Sequence, residues 1–392
     1  MNSRTARSIA VALVAVALAF TWQALTVRYN YGGNWTGLFC TGASQRIPRD
    51  LLHEEIYALT DSHGFDGQFY HYIAHDPLLR TQLPGYVDSP RLRYRRILVP
   101  GLAHIVAAGR PQAIDAGYFA VVLLFVFLGA YWLSRYAVLN RRHPAWGFLF
   151  LLLPSTLASV DRMAADIALS ALWVGFAVYA TEGHDRRLTL VVALAPLARE
   201  TGFAMIGTYC LWALWGKKPG QALQGAAAAL PCLLWYVYLH RAVGPDVNGW
   251  VAFGFGGMPD AVLHPFPYPW SAAVNLLVTA SDYLAAAGAV TAVALCLRFA
   301  AFRREDLLEL ATAVQGALGL ILVVFGSRDL WIHFYGFGRV LSPAVVLLAL
   351  RSLARRRWSD LTPLALLMPR TALQFGGDAW RILRGIGSAV MG

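Results

Sequence analysis

The residues best suited to chemistry lie in one short polar run, Gly64-Phe65-Asp66-Gly67-Gln68-Phe69-Tyr70. The run places a carboxylate beside a glycine, which allows a tight backbone turn or the close approach of a substrate. If a helix begins at Asp66, its carboxylate also lies at the positive end of that helix. Asp66 is therefore the leading candidate for a reactive carboxylate, with Gln68 and Tyr70 as candidate substrate-binding neighbours. The competing interpretation is an ordinary helix N-cap.

A second group of candidates is the basic run Arg91-Leu92-Arg93-Tyr94-Arg95-Arg96, which is followed directly by apolar residues. Guanidinium groups bind phosphate in a bidentate manner. Arg93, Arg95 and Arg96 are therefore candidate phosphate-binding residues, since a lipid phosphate would lie at the depth where such a run meets a membrane. The alternative is that these side chains only extend from apolar surroundings to water.

Charged residues within apolar blocks form a third group. Asp161-Arg162 and the nearby Asp166 follow one such block, and Arg199-Glu200 lie inside another. Ionisable residues are costly in a membrane, so they usually pair with one another or face a polar cavity. Neighbours on a helix point about 100° apart, so Arg199 and Glu200 need partners elsewhere. A purely structural interhelical ion pair is the alternative interpretation.

The run His333-Phe334-Tyr335-Gly336-Phe337-Gly338-Arg339 precedes the last apolar block. Arg339 opens that block, so its side chain could reach a phosphate or a carboxylate at the end of a helix. His333 is a candidate for binding or orienting the same ligand.

His71 and His75 have the i, i+4 spacing with which two histidines on one helix can hold a metal, and Asp76 follows directly. No third ligand is evident in the sequence, so we expect no metal and no other cofactor, with a divalent metal as the open alternative. The spacing of Cys40, Cys210, Cys232 and Cys296 fits neither a disulfide framework nor a zinc site.

The composition indicates that these residues belong to a membrane protein. Of 392 residues, 57% are hydrophobic and 14% are charged, and the mean hydropathy is +0.50, whereas about a quarter of a soluble domain is charged. The apolar residues form blocks long enough to cross a hydrocarbon layer of about 30 Å. The net charge of +11 comes largely from Arg and Lys at block ends, as in membrane proteins generally. We therefore expect membrane lipid and no nucleic acid as a partner.

We predict an all-α polytopic membrane protein with about ten transmembrane helices. A large extracytoplasmic loop, 28–96, follows the first apolar block, 8–27, and contains amphipathic segments near 48–60 and 66–75. Residues 1–358 are expected to form a single transmembrane domain, and residues 359–392 a cytoplasmic tail. The remaining apolar blocks lie near 97–109, 115–138, 145–160, 167–181, 188–215, 221–241, 273–298, 310–325 and 339–353.

These features resemble the membrane glycosyltransferases of the GT-C superfamily. The resemblance rests on the first span followed by an outer loop with Asp66 in Asp-Gly-Gln-Phe-Tyr, and on the Tyr/Arg-rich stretch 93–100 that leads into the next span. Arg199-Glu200-Thr201 is similar to an Arg/Lys-Glu-Thr element of bacterial members related to lipid-linked mannosyltransferases. The chain lacks the doubled acidic motif of many members.

The resemblance implies an enzyme of a bacterial inner membrane that works on the periplasmic or outer face. Its donor would be a polyprenyl-phosphate-linked sugar, and its acceptor a hydroxyl of a glycan or lipid. Asp66 would take the proton from that hydroxyl as it attacks the anomeric carbon with inversion. The implied phosphate-binding residues are Arg93, Arg95, Arg96, Arg199 and Arg339. Those implied to orient them or to bind substrate are Gln68, Tyr70, Asp76, Asp161, Arg162, Glu200 and His333.

A transporter or flippase of a lipid-linked sugar is the alternative function. It would use the same arginines and buried acids without a base, so it should tolerate Asp66→Asn better than a transferase would. A scaffold subunit is a third possibility, and it predicts that no polar cavity opens between the outer loop and the spans.

Overall fold

The computed structural model describes residues 3–243, 255–268, 271–298, 306–332 and 334–391, and it is almost entirely helical. The predicted all-α fold is confirmed, apart from two short parallel strands, β1 (Thr41–Gly42) and β2 (Ala58–Leu59). In chain order the helices are α1 (Ser3–Asn30), α2 (Asp66–His75), α3 (Pro90–Arg95), α4 (Leu98–Val106), α5 (Ile114–Leu139), α6 (Pro154–Arg162), α7 (Ile167–Glu182), α8 (Asp185–Ala198), α9 (Phe203–Trp215), α10 (Pro219–Ala227), α11 (Leu230–Ala242), α12 (Gly257–Leu263), α13 (Ala272–Arg298), α14 (Leu307–Phe325), α15 (Arg328–Ile332), α16 (Phe334–Arg355) and α17 (Thr362–Met391).

Within the described residues, six helical segments are long and apolar enough to cross a membrane. They are Thr5–Asn30, Pro111–Leu139, Pro219–Ala242, Ala272–Arg298, Leu307–Phe325 and Gly336–Arg355. A seventh span results if the 3-10 helix Pro144–Leu152 and α6, which meet at a bend of 65°, are taken as one. This is the architecture of a polytopic membrane protein, but the predicted count of about ten spans is not confirmed.

Short or broken helices account for the difference in count. α4 has nine residues, which at 1.5 Å per residue gives about 14 Å, well under the thickness of a hydrocarbon layer. The predicted span 188–215 is divided into α8 and α9 by Arg199, whose backbone is extended, and by the 3-10 turn Glu200–Gly202. Pro196 near the end of α8 removes a backbone hydrogen-bond donor there.

The predicted outer loop contains the helix expected from its sequence. The predicted segment 66–75 coincides with α2, whereas the region near 48–60 forms the 3-10 helix Arg49–Glu54 followed by β2. α2 packs so closely on the end of α6 that a Cβ at Gly67 would lie 2.3 Å from the Arg162 carbonyl oxygen and 2.8 Å from that of Phe39. Only glycine allows this approach, which fixes the first turn of α2 against the bundle.

The centre of the bundle is α16. In its most apolar stretch 83% of the residues are buried, against 28% to 50% in the other five candidate spans. Near the C-terminal end of α16, Arg351 Nε lies 3.2 Å from Glu309 Oε1 and 3.6 Å from Asp360 Oδ2. Arg142 Nε donates to the Leu353 carbonyl oxygen at 3.0 Å. The Arg141-Arg142 pair, whose side the sequence leaves open, therefore lies at the same end of the bundle as Arg355.

The region predicted as a separate tail, 359–392, instead belongs to the bundle. α17 packs antiparallel to α13, where Arg370 Nε donates to Asp282 Oδ1 at 2.5 Å, and it also runs along α1. There Asn30 Nδ2 donates to Asp378 Oδ1 at 3.2 Å. α17 is more polar than the six candidate spans, and its apolar side is covered by α1 and α13.

Candidate functional site

Asp66 is the first residue of α2, and it follows Phe65, whose backbone is extended. Its two carboxylate oxygens bind two different arginines: Oδ1 lies 3.0 Å from Arg93 Nη1, and Oδ2 lies 2.8 Å from Arg339 Nη1. Arg93 comes from α3 and Arg339 from the start of α16. The carboxylate therefore links the outer loop to the most buried helix of the bundle.

The ion pairs continue beyond Arg339 into the bundle. The same Arg339 Nη1 lies 3.3 Å from Asp166 Oδ2, and Arg199 Nη1 bonds to the other oxygen of Asp166. Arg199 Nε lies 3.9 Å from Glu200 Oε1. Glu200 in turn receives two hydrogen bonds from Arg96, from Nε at 3.0 Å and from Nη2 at 2.6 Å. Asp166 thus connects α16 to the break between α8 and α9.

At the other end Arg93 makes a bidentate pair with Asp88, with Nε and Nη2 at 2.9 and 2.8 Å from its oxygens. The result is a single series of side chains in which acids and arginines alternate, and whose formal charges cancel. We call this series the charge chain. Its members, in order of contact, are Asp88, Arg93, Asp66, Arg339, Asp166, Arg199, Glu200 and Arg96.

Burial varies along the charge chain. The side chain of Asp166 in the middle is 5% exposed and that of Asp66 is 22% exposed, whereas Asp88 at one end is 42% exposed and Glu200 toward the other is 32% exposed. Charge pairs are stronger where water is excluded. The contacts around Asp166 therefore hold the series together, while the carboxylates of Asp88 and Glu200 remain partly open to solvent.

The arginines change the acidity of Asp66. Burial alone would raise the pKa of its carboxyl group, but the neighbouring Arg339 and Arg93 guanidiniums outweigh that effect and hold the pKa well below its usual range. The Arg93 guanidinium is correspondingly harder to deprotonate, since Asp66 and Asp88 raise its pKa. With both arginines bound, Asp66 is an ionised but weakly basic carboxylate.

Several predicted site residues meet in the charge chain, and Tyr70 borders it. The predicted residues that belong to the charge chain are Asp66, Arg93, Arg96, Arg199, Glu200 and Arg339. Tyr70 lies on α2, and its hydroxyl oxygen accepts a hydrogen bond from Arg96 Nη1 at 3.2 Å. These side chains come from segments up to 273 residues apart in the sequence, so the fold brings them together.

Other predicted site residues lie elsewhere. The Arg95 guanidinium lies 5.3 Å over the ring of Tyr236, on the side of α3 that faces α11. Gln68 is buried and joins two parts of the outer loop to α2: its side chain donates to the His63 carbonyl oxygen and accepts from Gly42 N–H. The predicted roles of Arg95 and Gln68 at the phosphate or substrate are therefore not supported by their positions. His333 lies outside the described residues.

Asp76 closes a turn instead of orienting arginines. Its carboxylate accepts hydrogen bonds from the backbone N–H groups of Arg80 and Thr81 at 2.8 and 2.7 Å, and from the Thr81 hydroxyl at 2.8 Å. The prediction for Asp76 is corrected accordingly, because these donors use the carboxylate locally.

Asp161 and Arg162 border the charge chain through Phe65. Asp161 accepts from Trp22 Nε1 at 3.1 Å and lies 3.3 Å from Arg162 Nε. The Arg162 guanidinium lies 3.9 Å from the centre of the Phe65 ring, next to Asp66. These two residues therefore connect Asp66 to α1 and α6.

Asp166 is the central residue to which the sequence assigns no role of its own. The sequence shows an ionisable residue near the end of an apolar block, which is a signal for a functional position. It does not show that Asp166 directly precedes α7 and faces both Arg199 and Arg339. Asp88, the outer member of the charge chain, likewise appears in the sequence only as one of several loop aspartates.

An apolar cavity of about 250 Å³ lies beside this site, between α1, the bent segment 144–162 and α17. Its walls include Leu18, Trp22, Val160 and Phe375. Trp22 in its wall donates to Asp161, which pairs with Arg162, and the Arg162 guanidinium lies over the Phe65 ring next to Asp66. None of the residues that line the cavity belongs to the charge chain itself.

The side chains suited to binding a metal lie away from the charge chain. Within the described residues, Glu54, His71, His75 and Asp115 bring one ligand atom each to within 4.8 Å of one another. Glu54 and Asp115 thus supply the further ligands that are not evident from the sequence around His71 and His75.

Comparison with known proteins found no matching family model, no matching curated protein and no matching solved structure.

Proposed function

We propose that this chain is a membrane glycosyltransferase that moves a sugar from a polyprenyl-phosphate donor to an acceptor hydroxyl, with inversion. The observation that carries the proposal is the position of Asp66 between two arginines in the charge chain, next to an apolar cavity. A lipid-phosphate sugar has the matching parts: an anionic phosphate, a polar sugar and an apolar chain. The acceptor would be a glycan or a lipid, and the site would face the periplasmic side of a bacterial inner membrane.

The arginines supply the phosphate site in this proposal. A guanidinium binds phosphate with the same fork of donors that it offers a carboxylate. Arg199 Nε is buried and, within the described residues, makes no hydrogen bond, with Glu200 Oε1 at 3.9 Å. A phosphate oxygen arriving near Arg199 and Arg339 would satisfy it. The same donors would stabilise the charge that develops on the departing lipid phosphate, a large contribution in enzymes of this kind.

Donor binding would also make Asp66 a better base. Free Asp66 is weakly basic because Arg339 and Arg93 bind it. When a phosphate takes hydrogen bonds from these arginines, the pKa of Asp66 rises toward its ordinary value, and the carboxylate can accept a proton from the acceptor hydroxyl. General-base assistance of this kind contributes about 10²–10⁴-fold to the rate. The charge chain would thereby keep the base inactive until a donor is present.

A transporter or flippase of a lipid-linked sugar remains the second candidate, favoured by one observation. The chain is broken between α6 and α7 and between α8 and α9, and both breaks carry members or neighbours of the charge chain. Broken helices that face ionisable groups are typical of substrate sites in secondary transporters. Such a protein would need the arginines, but it would not need Asp66 as a base.

The test is transfer of radiolabelled mannose, glucose and arabinofuranose from their polyprenyl phosphates by the purified protein in proteoliposomes. Asp66→Asn should lower transfer by at least about a hundredfold. The matched control is Asp61→Asn in the same loop, since Asp61 is exposed and its backbone φ of 51° suits asparagine. Transfer by Asp66→Asn within tenfold of the control would remove the proposed base. Movement of lipid-linked sugar across the bilayer without transfer, retained in Asp66→Asn, would favour the transporter.

A further inference from the structure

The geometry points to a structural zinc site formed by Glu54, His71, His75 and Asp115. These residues come from three separate parts of the chain: the 3-10 helix Arg49–Glu54, α2 and the start of α5. Imidazole nitrogens and carboxylate oxygens are both ligands that Zn²⁺ takes in proteins. Two carboxylates would also balance the charge of one divalent cation.

The distances between ligand atoms fit one tetrahedral ion. Four ligands at 2.0–2.1 Å from a tetrahedral zinc lie about 3.3 Å from one another. His71 Nε2 lies 3.2 Å from His75 Nε2, 3.4 Å from Glu54 Oε2 and 2.7 Å from Asp115 Oδ1. His75 Nε2 lies 3.2 Å from Glu54 Oε1. Four of the six pairs therefore lie close to the spacing that zinc imposes, with Glu54 facing His71 through Oε2 and His75 through Oε1. Each of the four residues offers a ligand atom within 4.8 Å of the others.

Hydrogen bonding alone does not explain this arrangement. Glu54 Oε2 and Asp115 Oδ1 are buried and, among the described residues, neither forms a hydrogen bond of normal geometry, although both lie close to His71 Nε2. One imidazole N–H could serve only one of them. The two histidine Nε2 atoms also face each other, as they would if both bound the same ion. A cation between these atoms would satisfy all four ligands at once.

The burial of the ligands indicates a structural site and not a catalytic one. The side chains of His71, His75 and Glu54 are 0%, 5% and 10% exposed, and that of Asp115 is 26% exposed. The His71 ring is also fixed by stacking on Phe39, with ring centres 4.1 Å apart. Four protein ligands leave no open position for substrate, which is the usual character of structural zinc. The ion would join the outer loop to α5 and so fix α2, the helix that begins with Asp66.

The test is the metal content of the purified full-length protein, measured by inductively coupled plasma mass spectrometry after dialysis against zinc and then against metal-free buffer. We expect close to one zinc per chain, and replacement by Co²⁺ should give the visible absorption of a tetrahedral site. His71→Gln and His75→Gln should each lose most of the metal. The control is His63→Gln, an exposed histidine of the same loop, which should keep it.

Two results would overturn the zinc site: no metal retained by the folded wild-type protein, or equal zinc in His71→Gln and His63→Gln. Retention of Mn²⁺ or Mg²⁺ in preference to zinc would also contradict it. If a histidine variant does not fold, chelation of the wild-type protein replaces it, and removal of zinc should lower the Tm and be reversed by zinc alone. These readouts do not depend on sugar transfer, so the zinc site and the proposed function can fail separately.

Discussion

Removing the charge of Asp166 should destabilise the protein more than removing that of Asp88, although both carboxylates pair with arginine. Asp166 is 5% exposed and contacts both Arg199 and Arg339. Asp166→Asn leaves two largely buried guanidiniums without this partner, and breaking a buried pair costs about 3–5 kcal/mol. Asp88 is 42% exposed, and an exposed pair contributes about 0–1 kcal/mol. At about 1.4 kcal/mol per factor of ten, Asp166→Asn should shift the unfolding equilibrium by a hundredfold or more.

The free energy of unfolding can be measured in detergent micelles by increasing the mole fraction of SDS. A thiol-reactive dye reports unfolding, because Cys40, Cys232 and Cys296 are buried in the folded protein. The two variants are compared under identical conditions, with circular dichroism as a second probe of the transition. Agreement of the two probes is needed before the midpoints are converted to free energies.

A double variant distinguishes the destabilisation caused by an unpaired buried charge from the stabilisation that the ion pair itself provides. Asp166→Leu with Arg199→Met removes both charges and replaces them with apolar side chains, so it should be more stable than Asp166→Asn alone. The reasoning would be refuted if Asp166→Asn were no less stable than Asp88→Asn. It would equally be refuted if the double variant showed the summed loss of its two single variants, since contacting residues should couple.

Four further outcomes are expected. Arginines lower the pKa of Asp66 in the free protein, so kcat/KM should not fall with Asp66 protonation at any pH above about 4. In the donor complex phosphate binds these arginines, so kcat should fall on the acid side at a higher pH than kcat/KM does. Acid limbs at the same pH in the two profiles would contradict this. Ionised Asp66 also stabilises the fold above its unfolded pKa of about 4, and that stability is lost as the pH falls further. Gly67→Ala should lower stability by about 1–3 kcal/mol in the SDS titration, because its Cβ meets backbone, whereas Gly85→Ala, which has open space, should have little effect. Ala19→Phe should fill the apolar cavity and slow transfer from long-chain donors more than from short-chain donors. Leu13→Phe, on the exposed side of α1, should slow transfer from neither donor. Transfer rates measured with both donors check this.

The sequence predicts the parts of the site that depend on local signals. The start of α2 at Asp66 follows from residue types, and Arg93 and Arg96 both join the charge chain. Arg95 instead lies over Tyr236, and the spacing of the run does not show which of its arginines join the charge chain, because Arg96 follows the end of α3. The pairing of Arg199 and Glu200 with partners outside their own helix is also as predicted.

The remaining features depend on contacts between distant segments, which the sequence does not reveal. Glu54 and Asp115 reach the histidine pair from other elements, and no spacing rule connects them. The polarity of α17 hides the fact that two neighbouring helices cover its apolar side. The number of spans is harder to predict, because hydropathy does not distinguish a short apolar helix from one that crosses the membrane, as α4 and α7 illustrate.

α16 is held by ion pairs at both of its ends, with Arg339 bound to Asp66 and Asp166 at one end and Arg351 bound to Glu309 and Asp360 at the other. A shift of the helix along its axis by one residue moves every side chain about 1.5 Å, enough to break the contacts at both ends together. We therefore expect α16 to stay fixed and not to slide along its axis. Any opening that admits a large lipid must come from the elements around it, and α2, which is joined to α16 by the Asp66–Arg339 ion pair, is one of them.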